Sequence, residues 1–574
     1  MRIKSIIYAI MILGLLAGCA AGPTAQATDP VSSSREEIKP SLTPTQPPTI
    51  IPPTPTPTEP PEYRVWISPA VPAELANEVR AGEAVRPVEA QEEAEYRFDL
   101  VPADQALSLW TYALTAPFPT LLDGVTLEQA RGLWAGSQDE TLTGWRFLLT
   151  DQALAVLRTA WGEPAEGMVD VLPAGELLDA AWEAGSVLSL VPFEKLEPRW
   201  KVLRVDGISP LDQDFQPEDY ALTFGFGFAE GQQPPVELAL TAANRDPEKM
   251  TVLMMTGVTA LVRATAHRME IKGLTYPAEK IGPLLSSADL THISNEVSFY
   301  SDCPFPDPGP GPLYFCSRPS YIEVLEASGA DIVELTGNHN NDSAQVYGVD
   351  VVPETLELYR ERGMLYYGGG LNLDEASRPA LVEHNGNKLA FIGCNPAGPI
   401  YAWATEDSPG AAPCGDYQWM KDEIARLRAE GYLPIATFQY FENYSNLAGP
   451  EMEVIFREIA NAGAVVVQGS QAHTPKEMEF FNDSFIHYGL GNLYFDQMHV
   501  YQAYLTVGNQ QIPTTRLEFV DRHVFYNGRH ISTDLITLML EDYAQPRLMT
   551  AEEREAFLTD IFAASGWRIS GGVQ

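Results

Sequence analysis

The sequence predicts an α/β protein with two successive globular regions, and three observations carry that reading. After a Pro- and Thr-rich stretch, about 510 of the 574 residues remain, too many for one hydrophobic core. Short β-like runs alternate with amphipathic helical runs through most of that length. Polar residues gather at the ends of the apolar runs in the second half, where α/β proteins place their functional loops.

In chain order, residues 1–18 begin with Met1, Arg2, Ile3 and Lys4 and continue as an apolar run closing on Leu16-Ala17-Gly18-Cys19. The run is short for a bilayer crossing and reads as a signal peptide. Its ending resembles the bacterial lipobox, which implies diacylglycerol on Cys19 and a lipid bilayer as partner. Residues 19–62 are rich in Pro, Thr and Ser and read as an extended stalk. At about 3.1 Å per residue such a stalk reaches on the order of 100 Å. The expected location is exported and membrane-anchored, facing the periplasm or the cell exterior.

The formal charge of −40 excludes nucleic acid, or any polyanion, held by bulk electrostatics; a specific site for an extracellular polymer or small anion stays open. Cys303, Cys316, Cys394 and Cys414 form an even set in one half of the chain. In an exported protein they read as two short-loop disulfides, with a zinc site as the alternative that the absence of Cys-x-x-Cys disfavours.

Residues 63–247 mix strand candidates (Tyr96–Val101, Val202–Val205) with helix candidates (Leu127–Trp134, Glu176–Ala184). The order of Ala116-Pro117-Phe118-Pro119-Thr120, Val125–Gly136 and Asp206-Gly207-Ile208-Ser209-Pro210 resembles type II periplasmic solute-binding proteins, phosphate binders included. Trp110, Trp134, Trp145, Trp161, Trp182 and Trp200 are expected in the core rather than stacked on a ligand.

Residues 248–545 carry the clearer pattern. Strands are expected at Thr251–Thr256, Ala330–Leu335, Lys388–Ile392, Leu433–Gln439, Ala464–Val467 and Phe485–Gly489, and helices at Gln418–Glu430 and Glu451–Ala462. In the latter, Met452, Ile455, Phe456, Ile459 and Ala460 make one apolar stripe. A helical extension is expected over 546–574.

Three motifs in series, Asn338-His339-x-x-Asp342, Gly469-Ser470-Gln471-Ala472-His473 and Ile486-His487-Tyr488-Gly489-Leu490-Gly491-Asn492-Leu493-Tyr494-Phe495-Asp496, resemble the CapA family of poly-gamma-glutamate capsule synthesis. The resemblance implies a metallophosphoesterase-like α/β/β/α sandwich and a divalent metal such as Mn, Zn or Fe. It assigns Glu296, Asn338 and His473 as ligands and His339 as catalytic acid or base, with Asp342, Gln439 and Gln471 toward substrate. The family pattern fails at Val258, Gln439 and Gln471, where ligands are expected. Two readings therefore stand, a metal-dependent hydrolase with an altered site and a non-catalytic binding or assembly protein on the same fold.

Overall fold

Why these segments form their elements is plain locally. Leu127–Trp134 starts at a reciprocal cap, in which the Thr126 hydroxyl accepts from Gln129 N–H and the Gln129 side chain returns to Thr126 N–H. Pro450–Ala462 has proline in its first turn, buries Met452, Phe456, Ile459 and Ala460 on one face, and stops at Gly463 with φ 119°. The computed structural model describes residues 62–571 apart from 138, 230, 233–236, 310, 312 and 501. The expected signal segment, Cys19 and nearly all of the stalk lie outside the described residues. Among the described residues no helix is long and apolar enough to cross a membrane.

The first region holds a ten-stranded mixed sheet with helices beside it. Its central strand, Ser108–Pro117, runs antiparallel to Thr223–Phe228, Val187–Pro192 and Trp200–Val205. Trp110, Trp134, Trp145 and Trp200 are buried in its cores, and Trp161 and Trp182 pack against them.

The second region stacks four layers. An eight-stranded sheet runs Leu365–Tyr367, Ile332–Glu334, Leu290–Asn295 and Met250–Thr259 in parallel, then continues antiparallel through Leu517–Tyr526, Arg529–Glu541 and Gln545–Leu548. A six-stranded sheet holds Asn387–Cys394, Leu433–Phe438, Val466–Gln468 and Ser484–His487 in parallel. Leu253, Met255 and Ile332 from one sheet meet Leu389, Phe391, Ile435 and Val466 from the other. Helices Arg263–Lys272 and Val352–Glu361 cover the outside of the first sheet, and Gln418–Ala429 and Pro450–Ala462 the outside of the second. This is the α/β/β/α sandwich.

The three strands between Leu517 and Leu548 went unread in the sequence; in the first of them Glu518, Asp521 and His523, all buried, interrupt the apolar pattern. The last of them, Gln545–Leu548, occupies the start of the expected helical extension, whose helix begins at Ala551 behind a Thr550/Glu553 capping box. The described residues belong to one compact unit, Pro61–Gln574. The sheets part between Phe228 and Met250, but the cores do not. Phe118 and Leu121 pack with Phe485, Phe557 and Phe562, and Trp200 shares a cluster with Val252 and Tyr526.

Candidate metal centre

Parallel strands send their C-terminal ends to one edge, so the loops after Leu290–Asn295, Ile332–Glu334, Leu433–Phe438 and Val466–Gln468 converge. Glycine permits the closest approach: a Cβ on Gly337 would lie 2.4 Å from Glu296 O, and one on Gly257 would lie 1.9 Å from Gly491 O.

At that edge Glu296, Glu442 and His473 each present a ligand atom, all within 4.8 Å of one another. His473 Nε2 is 3.0 Å from Glu442 Oε1 and 3.9 Å from Glu296 Oε1. Its Nδ1 lies 2.8 Å from Asn492 Oδ1, and Asn492 is itself fixed by donation to Thr515 O at 2.9 Å. That second contact turns Nε2 toward the two carboxylates, the usual device for aiming an imidazole at a cation.

Glu442 was not among the residues singled out in the sequence. Its signal was there, an acid three residues after Gln439, but it matched no family position. Lys476, also missed, holds its loop: Nζ donates to Asn443 Oδ1 at 2.6 Å, Asn443 O at 3.0 Å and Ser445 O at 2.7 Å.

The electrostatics are those of a site built for positive charge. Burial pushes the Glu296 carboxyl up, against the pull of His473 and His339. Burial opposes charge on His473, yet Glu442 and Glu296 together raise it to about 9. At Glu442 burial acts upward and the contact with His473 outweighs it, holding the carboxyl below its ordinary value. Both Glu296 carboxylate oxygens, Asn338 Oδ1, Gln439 Oε1 and Gln471 Oε1 are buried without a hydrogen-bond partner. Native proteins rarely leave such acceptors empty, and the two on Glu296, beside Glu442 and His473, are what a cation satisfies. Two carboxylates and one imidazole suit Mn, Zn or Fe, so these residues fit the group that the CapA resemblance implies.

The remaining expected residues fall as follows. His339 Nδ1 is 2.6 Å from Asp342 Oδ2, and its ring rests 4.5 Å from Phe315. Burial draws His339 down, but the Asp342 contact and the Glu296 charge raise it overall. Asp342 is fully buried and also accepts from Phe315 N–H and the Tyr401 hydroxyl. Its oxygens are thus spent on orienting neighbours. Gln471 Nε2 donates to Ser294 Oγ at 2.9 Å, leaving its oxygen free. Val258 is buried and donates its N–H to Gly491 O, so no carboxylate stands at the end of Met250–Thr259. Disulfides join Cys303 to Cys316 and Cys394 to Cys414. The first closes the loop that carries Phe315.

Residues 252–497 match the family model described as "Bacterial capsule synthesis protein PGA_cap". This segment is similar to the CapA family. The chain is 22% identical over 266 residues to "Capsule biosynthesis protein CapA" of Bacillus anthracis, covering 46% of this chain and 63% of that protein. It is 22% identical over 231 residues to "PGA biosynthesis protein CapA" of Bacillus subtilis (strain 168), covering 40% and 59%. The chain thus spans about three fifths of the CapA relatives it matches. A solved structure titled as a putative phosphate ABC transporter substrate-binding protein from Clostridium perfringens is similar over 29% of this chain and 84% of its own, at 11% identity and TM-score 0.22.

Proposed function

We propose that this protein is an exported envelope protein, lipid-anchored through Cys19, that acts in the synthesis, modification or retention of a poly-gamma-glutamate-like surface polymer through a single-cation hydrolytic site. The observation that carries the catalytic part is Glu296, buried with both oxygens unpartnered beside His473 and Glu442. Glu296, Glu442 and His473 would hold the ion, with Asn338 Oδ1 as a further donor. A bound divalent cation there supplies Lewis acidity toward a phosphoryl or carbonyl oxygen. The chain's own contribution is positional. Asn492 and Lys476 fix His473 and the Glu442 loop, and Asp342 holds His339, whose raised proton affinity suits it to donate a proton to a leaving group. The polymer role follows the printed names of the CapA relatives, and the anchor follows Leu16-Ala17-Gly18-Cys19. The two disulfides accord with an oxidising compartment.

One observation favours the second reading, a non-catalytic binding or assembly protein: Val258, Gln439 and Gln471 are neutral where the family pattern places ligands. Turnover decides between them. The full chain in detergent, loaded with Mn, Zn or Fe, is assayed on a generic phosphodiester and on γ-linked oligoglutamate, beside Glu296→Gln. Hydrolysis of either, lost in the variant, supports the enzyme. No hydrolysis of either by metal-loaded protein leaves the binder.

A further inference from the structure

A cleft of about 860 Å³ opens between the first region and the outer face of the eight-stranded sheet, and it shares no residue with the Glu296–Glu442–His473 cluster. Two of the three first-region segments singled out in the sequence reach it. Phe118 and Thr120 of the Phe118-Pro119-Thr120 segment, and Ser209 of the Asp206–Pro210 turn, line it from the first region.

Its charges define what fits. Lys201, Arg204, Arg522 and Arg554 line the cleft together with Asp123, Asp212, Asp214 and Asp534, an even balance in a chain whose formal charge is −40. Asp123 Oδ1 lies 2.7 Å from Lys201 Nζ and 2.8 Å from Arg554. Arg204 pairs with Asp212 at 2.7 Å and Arg522 with Asp534 at 3.1 Å. The pairs are not sealed, since the Asp123 side chain is 56% exposed and that of Asp534 34%. A bare anion would have to displace a carboxylate from each cation, and a bare cation the reverse. A ligand bearing both charges exchanges both partners at once, so little Coulomb energy is lost on entry. Between the charges, Leu284, Leu535, Ile536 and Leu548, all at least partly exposed, offer an apolar wall. The volume lies in the range of ordinary small-ligand sites, roughly 300–1,000 Å³, and admits several residues of peptide. A choline-type zwitterion is a poorer match, because its quaternary ammonium donates no hydrogen bond to Asp and is held by aromatic cages.

We propose that this cleft binds a short zwitterionic peptide, with carboxylate on the arginines, ammonium on the aspartates and side chains on the apolar wall. Three unblocked tripeptides, Ala-Ala-Ala, Leu-Gly-Leu and Lys-Ala-Glu, are titrated calorimetrically into the full chain in detergent at low salt. Each is compared with its acetylated and amidated form, with phosphocholine and with inorganic phosphate. Ser287→Trp and Asp214→Trp, at exposed positions lining the cleft, fill it without touching a core. The expected result is one site for at least one unblocked peptide, weakened at least about tenfold by blocking its ends and by either tryptophan. Failure of all three peptides at millimolar concentration overturns the proposal. So does equal binding of blocked peptides, or tighter binding of phosphocholine or phosphate. Unchanged affinity in folded tryptophan variants overturns it as well. None of these outcomes bears on the metal site, since the readout is peptide affinity in metal-free protein.

Discussion

The two regions bury their polar atoms differently. Among the described residues, two of the buried side-chain oxygens and nitrogens without a partner, Glu194 Oε1 and Tyr220 Oη, fall before residue 248, and the others fall after it. The first region's sheet and helices close over tryptophans and aliphatics, whereas the second region carries Glu296, Glu334, His292, Asp521, His487 and Glu518 inside its strands and at their ends. Some of these groups satisfy one another: Glu334 accepts from Thr336 at 2.6 Å and from Ser470, and Asp521 takes His487 at 2.7 Å and Gln468 at 2.8 Å. Unsatisfied acceptors cost stability. At Glu296, Asn338 and Gln471 the second region keeps such acceptors where loops converge, whereas the first region has few of them among the described residues.

Five variants sharpen or break that contrast. Trp134→Ala, in the first region's core, is expected to cost about 3–5 kcal/mol of stability. Denaturant titration measures this, and metal content per folded molecule should not change. Replacing Cys303 and Cys316 together by Ser removes a loop closure worth about 3 kcal/mol at most. Hydrogen exchange should then rise around Phe315 and His339 but not in the first region.

Lys476→Met frees the loop that carries Glu442, and Asn492→Ala frees the His473 ring. Each is expected to weaken metal affinity about 10–100-fold with little change in melting temperature. A drop in melting temperature with unchanged affinity would recast both residues as purely structural.

The smallest effect is on pH. Burial lowers His292 and His530 to about 3, and holds His523 well below its ordinary value with help from His530 and His487. Below an unfolded value near 6.5 the unfolded chain binds protons that the folded chain refuses. Stability is therefore present above pH 6.5 and falls as pH drops toward 3. Each histidine contributes on the order of 1–2 kcal/mol between pH 7 and 5. His530→Phe should flatten that slope in urea midpoints, while a matched surface substitution should not.

Much of this was legible in the sequence wherever one physical signal dominated. The parallel strands read as apolar runs because both faces are buried, and Pro450–Ala462 read as a helix from its stripe. Glu296, Asn338 and His473 stood out because polar residues at the ends of apolar runs lie where loops converge. What escaped was long-range. Leu517–Tyr526 hides Glu518, Asp521 and His523 in a sheet, so its alternation looks solvated. Glu442 joins the cluster from a loop that Lys476, more than thirty residues on, pins through Asn443 and Ser445. Asp342, whose spacing to His339 was visible, turned inward to orient that ring. The cleft was invisible because its two walls come from different regions.

The central claim is that Glu442 completes a one-cation site with Glu296 and His473. The direct test is calorimetric titration of Mn into the chelator-treated full chain, beside Glu442→Gln. The account predicts one ion per chain in the parent and at least about tenfold weaker binding in the variant. No binding in the parent, two equivalent ions per chain, or unchanged affinity in Glu442→Gln would contradict it.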